Sequence, residues 1–246
     1  MIAAIIQARM GATRLPGKVL KKIDSVSLLE FQINRVKKSK NIKDIIVATS
    51  TKNEDNLIEN LCKKIGIKCF RGSENDVLAR YYECAKTYEV ETVIRLTADC
   101  PLIDPYVIDS VIEYFQTHKI DYASNTVPPK SSKWPDGSDV EIFTFNALKR
   151  AHEEATDDDD REHVTFYFWK KPNGFKTFQL DNKYDWSKYR LTVDYEEDFK
   201  AIKLIYRELK DREIFGHIHE IIKILQDRPD IKNLNEKYYF GIGWEK

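Results

Sequence analysis

The chain of 246 residues is poor in several features that mark whole classes of protein. Its only cysteines are Cys62, Cys69, Cys84 and Cys100, with no C-x-x-C pair among them. That spacing suits neither a zinc knuckle nor a disulfide framework, and inert buried thiols are the expectation. No stretch approaches the ~18 uninterrupted apolar residues of a membrane helix. The opening MIAAIIQARMGATRLPGK lacks the basic, apolar, small-residue order of a secretory signal. A soluble, cytoplasmic protein with no membrane partner is expected. Charge of one sign is missing too: 40 Lys+Arg balance 40 Asp+Glu. That argues against nucleic acid as a partner, because nucleic-acid-binding domains are typically strongly basic. No Ser-His-Asp or Cys-His arrangement is apparent, and no internal repeat.

What is present fits a globular α/β chain. Hydrophobic residues make up 42%, enough for a sizeable core, and the length allows one or two domains. Short apolar runs alternate with helical patterns, the signature of a sheet built by right-handed βαβ crossovers. Strands are predicted over 2–6, 45–49, 67–70, 92–96 and 121–124. Ser27-Leu28-Leu29-Glu30 reads as a capping box opening a helix over 28–38. Asp104-Pro105 supplies an N-cap followed by proline at the first helical position, opening a helix over 105–118. Gly66 closes the helix before the third strand.

From about residue 126 the texture changes. Pro128-Pro129 and Ser131-Ser132 mark a loop. Then come a predicted strand over 140–145, a helix from Ala147, an acidic run over 157–160 read as a solvated loop, and a helix containing 163–169. Strands over 175–180 and 189–193 precede a helix over 196–209. Ile218, Ile221, Ile222 and Leu225 have the spacing of one more amphipathic helix. Clustered aromatics follow at Tyr238, Tyr239, Phe240 and Trp244.

The most informative stretch runs from Ala8 to Lys18. It follows the first strand, so in an open α/β sheet it lies at a carboxyl end, where such folds bind ligands. Gly11 and Gly17 permit close backbone approach, while Arg9, Arg14 and Lys18 supply positive charge suited to a polyphosphate. An ordinary basic loop is the rival reading on composition. A Walker A motif is excluded, because five residues rather than four separate Gly11 from Gly17-Lys18, and Val19 stands where Ser or Thr would bind metal. G-x-G-x-x-G is also absent.

As IIQARMGATRLPGKVL, this loop resembles the nucleotide-binding signature of the cytidylyltransferases that activate acidic sugars, most closely their spore-coat polysaccharide biosynthesis branch. Further blocks continue the resemblance in order: FRGSENDVLARYY at 70–82, RLTADCPL at 95–102, DGSDVE at 136–141, REHVT at 161–165 and RLTVD at 190–194.

The resemblance implies an α/β, Rossmann-like nucleotidyltransferase fold, with a mostly parallel central sheet and helices on both faces. It implies a nucleotidyltransferase domain over 1–210, with a nucleotide half at 1–125 and an acceptor half at 126–210. Residues 211–246 form a tail expected to pack on the domain or on a partner, in a possible homodimer. The implied reaction is CTP plus an acidic sugar giving a CMP-sugar and pyrophosphate.

In that reading Arg9, Arg14 and Lys18 hold the phosphates while the backbone of Ala8 and Gly11 approaches the nucleotide. Arg71, Asp76, Arg80 and Ala98 complete the nucleotide side. Asp99 and Asp194 hold magnesium or manganese, hard cations that take carboxylate oxygens. Arg95, Asn125, Asp136, Gly137, Glu141, Glu162 and His163 are the acceptor-side candidates. The general base is left between Asp194 and a metal-bound water. The rival functions are a glycosyltransferase of related fold, whose D-x-D motif occurs only within 157–160, and a nucleotide-binding subunit without chemistry.

Overall fold

The computed structural model describes residues 1–171 and 173–241. Strand β1 (Ile2–Gln7) is an apolar run whose four central residues are all buried. Such a run belongs to a strand covered on both faces. A short 3-10 turn over Lys18–Leu20 follows, then a small hairpin of β2 (Lys22–Ile23) and β3 (Val26–Ser27) that the sequence did not announce. Helix α1 (Leu28–Val36) begins where Ser27 Oγ accepts from Glu30 N at 3.3 Å. Next come β4 (Asp44–Ser50), α2 (Asn56–Ile65), β5 (Lys68–Gly72), α3 (Val77–Thr87) and β6 (Thr92–Thr97). Gly66 closes α2 in the left-handed conformation, as a helix stop requires. Helix α4 (Pro105–Thr117) starts on its proline, with Asp104 accepting from Tyr106 N at 2.9 Å.

The second half contributes β7 (Tyr122–Ser124), β8 (Glu141–Thr144), α5 (Phe145–Glu154), α6 (Asp158–His163), α7 (Phe166–Trp169) and β9 (Thr177–Gln179). The chain then forms α8 (Glu196–Asp211), α9 (Ile218–Asp227) and α10 (Pro229–Lys232). The seven-stranded sheet has the order β5-β4-β1-β6-β8-β7-β9. Only β8 runs against the rest, pairing antiparallel with both β6 and β7. This is the mostly parallel α/β sheet expected.

Alternation along each strand divides the interior into two cores. Ala4 and Ile6 of β1, with Val47 of β4 and Leu96 of β6, face a core built with α1, α4, α8 and α9. Ala3 and Ile5, with Ile46 and Val93, face α3, α5 and α7 on the other side. Helix α9 is tied in by polar contacts as well. Ile218 N donates to Asp104 Oδ2 at 2.7 Å. The buried Arg35 donates to the carbonyls of Ile103, Phe215 and Gly216 at 2.8, 2.9 and 2.6 Å.

Three expectations need correction. The helix predicted over 163–169 is two short helices, because Val164 takes a left-handed φ of 60° between them. The acidic run is solvated at Asp157, Asp158 and Asp159 but is not a loop. Asp158, Asp159 and Asp160 form the first turn of α6, where negative charge complements the helix dipole. Asp160 is buried and accepts from Lys171 Nζ at 2.7 Å. The segment 189–193 is extended but joins no sheet, since its ladder is the single bridge Asp136 to Arg190. All four cysteines are free, and Cys62, Cys84 and Cys100 are buried. No helix among the described residues is long and apolar enough to cross a membrane. Trp244 lies outside the described residues.

Candidate active site

A cleft of about 310 Å³ opens at the carboxyl ends of β1 and β6. One wall comes from the loop 8–18. That loop is shaped by Met10, whose carbonyl accepts from Ala12 N and Gly17 N, both at 2.9 Å. Met10 N in turn donates to Asp55 Oδ1 at 2.7 Å. Gly17 has a φ of 67°, which glycine adopts without the penalty other residues meet. Leu15 is buried under the loop. Thus Arg9 and Arg14 line the cleft on a backbone fixed at both ends.

Lys18 forms the centre of the site. Its Nζ donates to Asp99 Oδ2 at 3.1 Å, Asp194 Oδ1 at 2.8 Å and the Val193 carbonyl at 2.8 Å. Burial works against the ammonium, but the two carboxylates outweigh it and hold its pKa above the ordinary lysine value. Burial likewise works against the Asp99 carboxylate, yet Lys18 and the Thr97 hydroxyl pull its pKa down to about 2. Asp99 follows the end of β6, and Asp194 ends the extended segment that leads into α8.

Asp194 is anchored from behind. Its backbone N donates to Asp198 Oδ2 at 2.9 Å. The buried Arg190 grips Asp198 with Nε at 2.9 Å and Nη2 at 3.0 Å, pairs with Asp136, and reaches Asp194 Oδ2 at 3.3 Å. Gly137 brings Asp136 to this segment. At φ 91°, a Cβ on Gly137 would lie 2.2 Å from Thr192 N.

The opposite wall carries Arg95, Asp136, Asp139, Glu141, Glu162 and His163. Arg95 pairs with Glu141 and donates to Gln7 Oε1 at 3.1 Å. Tyr122 OH donates to Glu141 Oε2 at 2.5 Å. Burial lowers the His163 pKa, and the ring stacks on Phe166. Asp139 accepts from Thr126 Oγ1 at 2.7 Å and Gly137 N at 2.8 Å. Burial pushes its pKa up to about 6, with Glu141 and Asp99 adding to the shift against those two donors.

Among the expected residues, Ala8, Arg80 and Ala98 also line the cleft. The remainder lie elsewhere. Arg71 donates to the carbonyls of Ser50 and Lys52 and to Asn56 and Glu59, outside the cleft. Asp76 caps α3 and pairs with Arg161 at 2.5 Å. Asn125 clamps the loop before β8 through Ser138 O and Val140 N, both at 2.8 Å. Gly11 lies against Glu54, and Gly137 serves the backbone approach described above. Sequence reasoning passed over Asp139 and Arg190, although both stand inside the blocks DGSDVE and RLTVD that it quoted. The D-x-D pattern within 157–160 does not reach the cleft.

The donor set suits magnesium. Asp99 and Asp194 offer two hard carboxylates, and magnesium commonly takes one or two from protein with the rest from phosphate and water. No cluster of three or more His, Cys, Asp or Glu arranged for a metal exists among the described residues, so an all-protein cage is excluded there.

The sequence profile of the cytidylyltransferase family matches residues 3–236. An uncharacterized protein of Methanocaldococcus jannaschii is 42% identical over 240 residues, covering 95% of this chain and 94% of its own. The spore coat polysaccharide biosynthesis protein SpsF of Bacillus subtilis is 35% identical over 236 residues, covering 93% and 95%. The solved structure of a cytidylyltransferase from Leptospira borgpetersenii serovar Hardjo-bovis, 35% identical, superposes with a TM-score of 0.88 over 94% of this chain and 97% of that one. Similar in sequence and in backbone along nearly its whole length, the chain belongs to the cytidylyltransferase family of nucleotidyltransferase enzymes.

Proposed function

We propose that the protein transfers CMP from CTP to an acidic sugar and releases pyrophosphate, with magnesium or manganese as the metal. The observation that carries this reading is the Lys18 ammonium bridging Asp99 and Asp194 in one cleft with Arg9 and Arg14. Nucleotidyl transfer needs that combination: charge neutralisation on a triphosphate, hard ligands for a divalent ion, and room for an aligned nucleophile.

In the reaction the acceptor hydroxyl attacks the α-phosphorus in line. A new P–O bond forms, the bond to the bridging oxygen of pyrophosphate breaks, and the hydroxyl proton passes to Asp194 or to a water. Arg9 and Arg14 present guanidinium forks to the phosphate oxygens, and Lys18 a compact charge to the departing pyrophosphate. Magnesium bound by Asp99 and Asp194 would draw negative charge off the phosphates. The buried Arg190 keeps Asp194 turned into the cleft.

Residues 1–125 supply the nucleotide half and 126–210 the acceptor half, with Arg95, Asp136, Glu141, Glu162 and His163 on the acceptor wall. The role of the Bacillus subtilis relative in spore coat polysaccharide biosynthesis supports a product destined for a surface glycan. On the family resemblance the enzyme is a cytoplasmic homodimer, with the 211–246 tail packed on the domain or its partner.

The test is metal-dependent pyrophosphate release, with CTP, UTP, ATP and GTP supplied separately against a panel of sugar acids and sugar phosphates. Release with CTP and an acidic acceptor is expected. Turnover with another nucleotide in preference to CTP, or with neutral acceptors only, overturns the assignment.

A further inference from the structure

The contacts of Lys18 lead to an inference that rests on the reading above. We propose that Lys18 takes the place of the divalent cation in the nucleotide-free enzyme, so that metal enters the site only together with the nucleotide.

An ammonium has three protons to donate. Lys18 spends them on Asp99 Oδ2 at 3.1 Å, Asp194 Oδ1 at 2.8 Å and the Val193 carbonyl at 2.8 Å. The lysine is therefore fully satisfied, and it is buried. Its Nζ stands between the two carboxylates that would hold the metal. A magnesium ion approaches carboxylate oxygen to about 2.1 Å and cannot share that space with Nζ. Metal binding to the pair therefore requires the ammonium to leave.

Where it can go decides when it leaves. The backbone at Lys18 is fixed by the 3-10 turn, and Leu15 is buried just before it, so only the flexible four-carbon stem moves. Without nucleotide, a displaced Nζ gives up all three hydrogen bonds inside a cleft that already holds Arg9 and Arg14. Asp99 and Asp194 already carry Lys18 and Arg14 as ion-pair partners, so bare metal would have to compete with cations already in place. A magnesium-bound triphosphate is a net dianion. It gives the displaced ammonium new oxygens to bind as it delivers the metal to the carboxylates, so ligand and lysine exchange partners in one step.

The test uses Mn2+ as the probe, read by the loss of its free-ion paramagnetic resonance signal in the absence of nucleotide. The wild-type protein is expected to take up Mn2+ poorly, and Lys18→Met to bind it about tenfold more tightly or better, an effect worth about 1.4 kcal/mol. Arg14→Met removes a neighbouring charge without freeing the carboxylate pair, and is expected to shift affinity far less. Tight stoichiometric Mn2+ binding by nucleotide-free wild type, lost in Asp99→Asn, overturns the proposal without any need for the lysine variant. Equal gains in Lys18→Met and Arg14→Met overturn it too, since they reduce the effect to bulk charge. Calorimetry of CTP with and without Mn2+ on wild type completes the experiment, with tighter CTP binding in the presence of metal expected. Failure to bind CTP in either condition removes the cytidylyl reading, while the Mn2+ contrast still decides whether Lys18 keeps metal out.

Discussion

Replacing Gly137 with alanine tests how the two halves of the cleft are joined. A Cβ built there would lie 2.2 Å from Thr192 N and 2.4 Å from the Leu191 carbonyl carbon. Both are backbone atoms, so no side chain can turn aside to make room. Relief requires the Asp136 loop and the 190–194 segment to part. That breaks the hydrogen bonds from Leu191 N to Asp136 O, at 2.6 Å, and from Asp136 N to Tyr189 O, at 3.1 Å. Each is worth about 1 kcal/mol. Forcing the extra methyl into packed backbone costs roughly 1–3 kcal/mol, and the positive φ of 91° adds about 1 kcal/mol or more for a residue with a Cβ. The expected loss is therefore at least ~4 kcal/mol. Gly66→Ala is the control: its φ of 68° is similarly left-handed, but nothing lies within 4 Å of the new Cβ, so it should lose only about 1 kcal/mol. Urea unfolding of both variants, followed by tryptophan fluorescence, measures the difference. If the two lose the same stability, the close approach is not what holds this wall together.

Asp99→Asn should abolish pyrophosphate release and also lower the unfolding midpoint at neutral pH, because a carboxylate held at about 2 against 3.8 stabilises the folded state there; near wild-type turnover would remove Asp99 from the metal site. Asp139 makes a prediction about pH. Its folded pKa of about 6 against 3.8 means that the native state binds the extra proton, so its contribution favours folding below about pH 4 and is lost as pH rises through 6. The ionised group thus costs about 3 kcal/mol at pH 7.5; Asp139→Asn should be more stable than wild type there and lose that advantage by pH 4, whereas a gap independent of pH would refute the assignment. Arg35→Met should destabilise by about 3 kcal/mol or more, because three carbonyls, two of them in buried bonds, lose a charged donor, and amide exchange should rise first in α9. Uniform exchange across the molecule would mean that Arg35 does not dock that helix in particular.

What could be read from the sequence was what is decided locally. The apolar run of β1, the Asp104-Pro105 start of α4 and the Gly66 stop of α2 each depend on neighbours a few residues away. Val164 was illegible, because nothing local announces a left-handed β-branched residue, which runs against its own preference. The 189–193 segment has the alternating pattern of a strand, but its partner is the Asp136 loop rather than the sheet. Such a pattern reports which side chains are buried, not what the backbone pairs with. In the cleft, Arg9, Arg14, Lys18, Asp99 and Asp194 converge from separate quoted blocks. Arg71 and Asp76 stand in an equally suggestive block and are occupied elsewhere. Arg190 was overlooked because its importance lies in joining Asp136, Asp194 and Asp198, a relation made only by the fold.

The reversal of β8 has a consequence for how the catalytic rim is put together. Because β8 runs against its neighbours, its first residue, Glu141, pairs with Arg95 of β6 and Ser124 of β7. The rim therefore receives chain from both directions: loops leaving β1 and β6, and the loop 125–140 arriving at β8. Departing loops must lead on into crossover connections that the parallel strands require, which ties their lengths to the helices behind. The arriving loop bears no such duty. It is clamped at its two ends by Asn125 and by the Gly137 contact, and the residues between are bonded to β9 and to the chain beyond it through Gln179, Leu180 and Trp186. The cleft therefore takes its wall from the held ends of this loop and not from its middle, within a single continuous sheet.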